Sequence, residues 1–180
     1  MIIAAAQFAT NAHLGQFRKY TGDPYIYHPM RVAGRVSMLP GAANEHVAAA
    51  WLHDIIEDCP SQEIHLVAKF SLSVVERVRE LTNPSRNFPK LPRRERKAMD
   101  FAHLAVVSRW AKVIKLLDRI DNLREMSGEG NWDFRHKYAN ESLLLVDAVL
   151  NGIVGDAVVS VLVQEVLAAV NVVSGQTEAA

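Results

Sequence analysis

The sequence predicts an all-α fold. Apolar residues recur at helical spacing along most of the 180 residues, alternating strand patterns are scarce, and Gly, Pro and Ser fall between the periodic stretches. At roughly 100–200 residues per domain, this length predicts one domain. Its expected extent is residues 1–175, with 176–180 as a flexible tail.

The elements follow in order. Residues 2–14 form a short Ala-rich helix ended by Gly15. The stretch GQFRKYTGDPYIYHP holds Gly15, Gly22, Pro24 and Pro29, which mark a loop or small irregular turn. Pro29 opens a helix to about Leu39, because its missing N–H would be unpaired in a first turn anyway. Asn44 caps a helix that runs through Asp58 and stops at Cys59-Pro60. Ser61, with Ile64 onward, opens another, and Ser71 or Ser73 caps the next, which ends at Leu81. A loop with Pro84, Pro89 and Pro92 precedes helices at Arg93–Ser108 and Arg109–Ser127. A turn with Gly128 and Gly130 leads to a helix from about Asp133 to Leu150, and a last apolar helix covers about Val154–Val173. That helix is apolar over more than one narrow stripe, which fits burial within the chain or a homodimer contact. The chain is thus expected to be a monomer or a homodimer, with burial within the chain the preferred role of this helix.

Composition excludes several classes. Twenty Lys+Arg balance twenty Asp+Glu, which argues against a nucleic-acid binder that lives on phosphate attraction. A single cysteine, Cys59, excludes an internal disulfide and suits a reducing cytosol. The most apolar region, Leu143–Val173, is interrupted by Asp147, Asn151, Asp156, Gln164 and Glu165, so no membrane span is expected. The N-terminus lacks the basic region of a signal peptide. A cytoplasmic protein is expected.

The chemistry concentrates in AAAWLHDIIEDCP. On a continuous helix His53 and Glu57 are i and i+4, as are Asp54 and Asp58, so both pairs project from one broad side. An adjacent imidazole and carboxylate supply N and O ligands that a divalent transition metal accepts. The alternative is a solvated helix end, although acids there oppose the helix dipole. A second cluster, KLLDRIDNLREM, places Asp118 with Asn122 on one face and beside Lys115; taken alone, it reads as a surface pair worth a few tenths of a kcal/mol. A third, YIYHP, sets His28 before Pro29 at a helix entrance. His13, His46, His65, His103 and His136 have no comparable setting and read as structural or exposed.

In chain order, GQ-x-RK, PYI-x-HP, LHD-x-x-ED, RRERK and K-x-x-DR-x-x-N resemble the HD superfamily of metal-dependent phosphohydrolases. The detailed likeness is to the small stand-alone alarmone hydrolases related to the hydrolase half of the RelA/SpoT enzymes, and it runs from about Ala4 to Asp147. The resemblance implies a helical HD-fold bundle in which His28, His53, Asp54 and Asp118 hold one divalent ion, typically Mn²⁺. It implies Glu57 and Asp58 as the catalytic acids, and Arg18, Lys19, Tyr25 and Asn122 as substrate contacts. The implied reaction removes the 3′-diphosphate of guanosine tetra- or pentaphosphate, giving GDP or GTP and pyrophosphate. The rivals are the same chemistry on NADPH 2′-phosphate or a nucleoside monophosphate, and a nonenzymatic nucleotide-sensing module. Residues after Asp147 leave room for little more than one helix, so no synthetase or regulatory module is expected.

Residues 86–97 carry six basic residues against one acidic, and Lys90, Arg93, Arg94 and Arg96 are the candidates there for a phosphate contact. The sequence also departs from the pattern it resembles. Ser71 follows Phe70 where Gly is common, one extra residue lies between Lys19 and Pro24, and Asp121 stands where His or Tyr is more usual.

Overall fold

The computed structural model describes residues 1–126, 132–153 and 155–175. Its α-helices are α1 (Ile2–Ala12), α2 (Tyr27–Ser37), α3 (Asn44–Leu52), α4 (Ile55–Asp58), α5 (Glu63–Lys69), α6 (Leu72–Leu81), α7 (Arg93–Val106), α8 (Arg109–Glu125), α9 (Trp132–Leu150) and α10 (Ala157–Val173). Short 3₁₀ turns sit at Pro60–Gln62 and Pro84–Asn87. No strand occurs among the described residues; a lone bridge there pairs Phe17 with Pro24. The expected all-α class is the one found. The Gly128–Gly130 turn, Ser127, Val154 and the 176–180 tail lie outside the described residues.

α8 organises the bundle. Val113, Ile114, Leu116, Leu117, Ile120 and Leu123 are each closed to solvent, and between them they cover about half of the helix circumference. Buried positions, apolar and polar together, occur on most sides of α8, which packs against α2, α6, α9 and α10. Polar groups on it survive only where neighbours satisfy them. Lys112 donates to the carbonyls of Ala105 at 2.8 Å and Asn151 at 2.5 Å, and Arg119 donates to Ser142 Oγ at 3.1 Å. Asp118, Asp121, Asn122 and Glu125 follow the spacing i, i+3, i+4, i+7 and so share one face. That face meets α2 and the 13–25 loop.

α10 buries Val159, Leu162, Val163, Val166, Val170 and Val173 against α8 and α9, while Val161 on the same helix is exposed. Asp156 caps it, accepting the Val159 N–H at 3.1 Å, and it also accepts from Arg109 Nη2 at 3.0 Å. One carboxylate thereby ties the starts of α8 and α10. Asp156→Ala is expected to cost about 1 kcal/mol, read as a lower urea midpoint at constant slope. An unchanged midpoint would remove this cap from the account.

Several boundaries differ from the sequence expectation: α1 ends at Ala12, α2 runs Tyr27–Ser37 and so takes in His28 ahead of Pro29, α7 ends at Val106, and two differences concern α3. The α3 cap is Ala43 rather than Asn44: the Ala43 N–H donates to His46 Nδ1 at 2.9 Å, so a side chain inside the helix reaches back to satisfy the entrance. The expected helix 44–58 is also interrupted. α3 ends at Leu52, and α4 resumes after Asp54, whose φ of −95° and ψ of −5° break the regular turn. On an unbroken helix consecutive side chains diverge by about 100°. The bend lets the neighbours His53 and Asp54 converge.

The loop after α1 is a small hairpin. Arg18 N–H donates to Asp23 O at 2.8 Å and Tyr25 N–H to Gln16 O at 2.9 Å, with Gly22 at φ +74° making the reversal. This hairpin delivers Arg18 and Tyr25 to the site. At Ser71 the backbone is extended, with φ −61° and ψ 154°, so serine stands there without strain.

Candidate metal centre and active site

Three segments distant in sequence converge beside α8. His28, in the first turn of α2, places Nε2 3.2 Å from His53 Nε2, 3.2 Å from Asp118 Oδ1 and 3.6 Å from Asp54 Oδ2. His53 Nε2 lies 3.1 Å from Asp54 Oδ2 and 3.9 Å from Asp118 Oδ1. The donor atoms of His28, His53 and Asp118 all fall within 4.8 Å of one another, and Asp54 adjoins both imidazoles. Two imidazole nitrogens and two carboxylate oxygens facing one another need positive charge between them. The set fits one divalent ion with mixed N and O ligands.

The electrostatics favour the carboxylate form of both acids, and those carboxylates in turn raise both imidazoles. Burial pushes the Asp54 carboxyl up, yet the His53 and His28 imidazoles hold it well below the usual carboxylate range. Burial acts on Asp118 in the same direction, and Lys115 and His28 outweigh it. For His28, burial pulls the imidazole down, while hydrogen bonds to Asp118 and Asp121 lift it to about 9. Both acids are therefore ionised, the state a cation requires.

Each candidate ligand is held from behind. His53 Nδ1 bonds the Ala50 carbonyl at 2.8 Å, and His28 Nδ1 bonds Asp121 Oδ2 at 2.6 Å. The Tyr25 hydroxyl donates to Asp54 Oδ2 at 2.8 Å, and Asn122 Nδ2 donates to Asp118 Oδ1 at 2.5 Å. Lys115 Nζ sits 3.1 Å from Asp118 Oδ2, so the expected surface pair of Lys115 and Asp118 is instead a nearly enclosed one inside the cluster.

α4 brings the two acids to the same cavity. Glu57 and Asp58 line it with Tyr25, His28, Asp54, Asp118 and Asn122. Glu57 accepts from Asn83 N at 2.7 Å and Asn83 Nδ2 at 3.2 Å, which fixes the carboxylate while leaving it acceptor capacity. Burial pushes the Glu57 carboxyl upward; burial and neighbouring Asp54 do the same to Asp58.

The expected substrate contacts divide. Arg18 Nε donates to Glu125 Oε2 at 2.8 Å and Nη2 to Asn122 Oδ1 at 2.5 Å, with the guanidinium 5.2 Å from the Tyr25 ring centre. Lys19 stands apart, its ammonium over the rings of Tyr20 and Phe134. In the basic stretch, Lys90 and Arg94 are exposed, and Arg93 forms a two-point pair with Glu141 at 2.6 and 2.9 Å. The cavity-lining cation of that stretch is Lys97, outside the four candidates. It shares a face of α7 with Asp100, Phe101 and Leu104, a spacing that the sequence displays. Asn83 also escaped the sequence reading, because Asn83-Pro84 reads as a turn signal and nothing more.

An HD domain is matched by residues 5–146, within one residue at each end of the span the motifs suggested. The chain belongs to the HD domain family. Among characterised proteins, the MESH1 guanosine-3′,5′-bis(diphosphate) 3′-pyrophosphohydrolase of Xenopus tropicalis is 36% identical over 128 residues, which are 70% of this chain and 69% of that protein. The enzyme of the same activity name from Haemophilus influenzae is 38% identical over 138 residues, 75% of this chain but only 20% of that protein's length. A solved structure of a metazoan SpoT ortholog that hydrolyses ppGpp superposes with a TM-score of 0.78 at 27% identity, covering 93% of each chain.

Proposed function

We propose that this chain is a Mn²⁺-dependent hydrolase that removes the 3′-diphosphate of guanosine tetra- and pentaphosphate. The observation that carries this reading is the convergence of His28, His53 and Asp118, with Asp54 beside both imidazoles and Glu57 on the same cavity wall. The relatives whose names state that activity support the choice of substrate.

His28, His53, Asp54 and Asp118 would hold the ion, which would supply Lewis acidity toward a phosphoryl oxygen and water. Glu57, braced by Asn83, accepts a proton from the attacking water. The water oxygen bonds to phosphorus as the bond from phosphorus to the ribose 3′ oxygen breaks. The proton finishes on that ribose oxygen, leaving GDP or GTP and pyrophosphate. Lys97 and Lys115 place positive charge along the cavity, and Arg18 beside Asn122 supplies a cation near its rim. Positioning and charge stabilisation carry most phosphoryl transfers, so little covalent chemistry is asked of the chain. Asp58, next to Tyr25 and Asp54, supports Glu57 in handling the proton. No described helix is long and apolar enough to cross a membrane, and lone Cys59 suits a cytoplasmic setting.

The test is to incubate the purified protein with Mn²⁺ and guanosine tetraphosphate and identify the products. GDP with stoichiometric pyrophosphate is the expected result. Orthophosphate release, from NADPH or a nucleoside monophosphate in the same panel, would reassign the substrate. Tight nucleotide binding without turnover would point to a sensing module instead.

A further inference from the structure

The polar face of α8 does more than present Asp118. His28 Nδ1 meets Asp121 Oδ2 at 2.6 Å, and Asp121 is in turn gripped at both oxygens by Arg31, Nε to Oδ1 at 2.7 Å and Nη2 to Oδ2 at 2.9 Å. Arg31 also bonds Glu125, which pairs with Arg18; Arg18 bonds Asn122, and Asn122 bonds Asp118. The hydrogen bonds close a ring around the centre. Within it Asp121 alone bonds the far nitrogen of an imidazole whose near nitrogen faces the other proposed ligands.

A neutral imidazole offers one lone pair, and the partner of its other nitrogen decides which nitrogen offers it. Both imidazoles here have such a partner, but of different kinds. His53 Nδ1 has a neutral carbonyl, whereas His28 Nδ1 has a carboxylate side chain gripped at both oxygens by Arg31. A carboxylate partner makes an imidazole more electron-rich than a carbonyl does, and therefore a stronger ligand. The bidentate grip of Arg31 prevents Asp121 from turning inward to become a ligand itself.

We infer that Asp121, clamped by Arg31, is a positioning residue that keeps His28 Nε2 free and electron-rich, and thereby sets the affinity of the metal centre. This rests on the proposed assignment of His28 as a ligand. It gives a role to the residue at which the sequence leaves the pattern it resembles.

The test is Mn²⁺ affinity of the full chain, measured by competition with a chelator of known affinity. Asp121→Ala is expected to weaken binding about 10–100-fold, and Asp121→Asn, which keeps a neutral acceptor, to weaken it less. Glu125→Gln removes a charge from the same ring without touching His28 and is expected to leave Mn²⁺ affinity within about twofold. Equal losses from Asp121→Ala and Glu125→Gln would overturn the inference, since both would then act through the fold. His28→Ala separates the two levels of the argument. If it binds Mn²⁺ like the parent, the ligand assignment falls and the inference with it. If it loses the ion while Asp121→Ala keeps full affinity, the centre stands and the role of Asp121 is refuted.

Discussion

Asp54→Ala is expected to abolish Mn²⁺ binding and hydrolysis together while the helices persist. Removing a residue behind a ligand weakens a metal centre by about 10–100-fold, so deleting a ligand is expected to exceed about a hundredfold. The Lewis acid is asked for several kcal/mol of the barrier, and each 1.4 kcal/mol is about tenfold in rate; turnover should therefore fall at least about a thousandfold. The fold should survive because Asp54 bears on the cavity and not on the apolar core, its backbone lying in the two-residue break between α3 and α4. His53 loses its 3.1 Å partner but keeps the Ala50 carbonyl. Far-ultraviolet circular dichroism checks the helices, chelator competition checks the ion, and product analysis checks the rate. Turnover at the parental rate would refute the assignment of Asp54 as a ligand. Loss of helicity would move Asp54 into the structural account instead.

The same residues show what the sequence could and could not reveal. Helical periodicity exposed α8 because its apolar residues recur over 17 positions, far beyond chance alternation. The HD-x-x-ED string could be noticed, since its four ionisable groups fall within six positions. Spacing alone could not join His28 to Asp118, because 90 residues separate them and only the packing of α2 on α8 makes them neighbours. The ordered motifs bridged that gap by resemblance. What neither route gave was the break at His53–Asp54. Local propensity favours continuing the helix, and the convergence of ligands that accompanies its interruption is a tertiary fact. Lys97 was hidden among cations for a related reason: which of them turns inward depends on the phase of α7, set by Phe101 and Leu104. Asp121 was visible only as an oddity until Arg31 and His28 were placed around it.

Glu57→Ala tests whether binding and chemistry can be separated. Its carboxylate makes none of the contacts among His28, His53, Asp54 and Asp118, so Mn²⁺ affinity should remain within a few-fold of the parent's, while turnover falls about 10²–10⁴-fold, the span of a positioned general base. Glu57→Gln sharpens the point. The amide keeps the size of the side chain and can still accept from the Asn83 N–H, yet it takes up no proton, so nearly the full loss in rate is expected to persist. The pH dependence carries a sign. Burial raises the Glu57 carboxyl, so a larger share of the enzyme holds the inactive, protonated form as pH falls, and turnover should decline on the acidic side at a higher pH than for an exposed glutamate. If either variant lost the ion along with the rate, Glu57 would be a ligand. If Glu57→Gln kept the parental rate with Mn²⁺ bound, the proton would have to go elsewhere, and Asp58, on the same cavity, would be the group to substitute next.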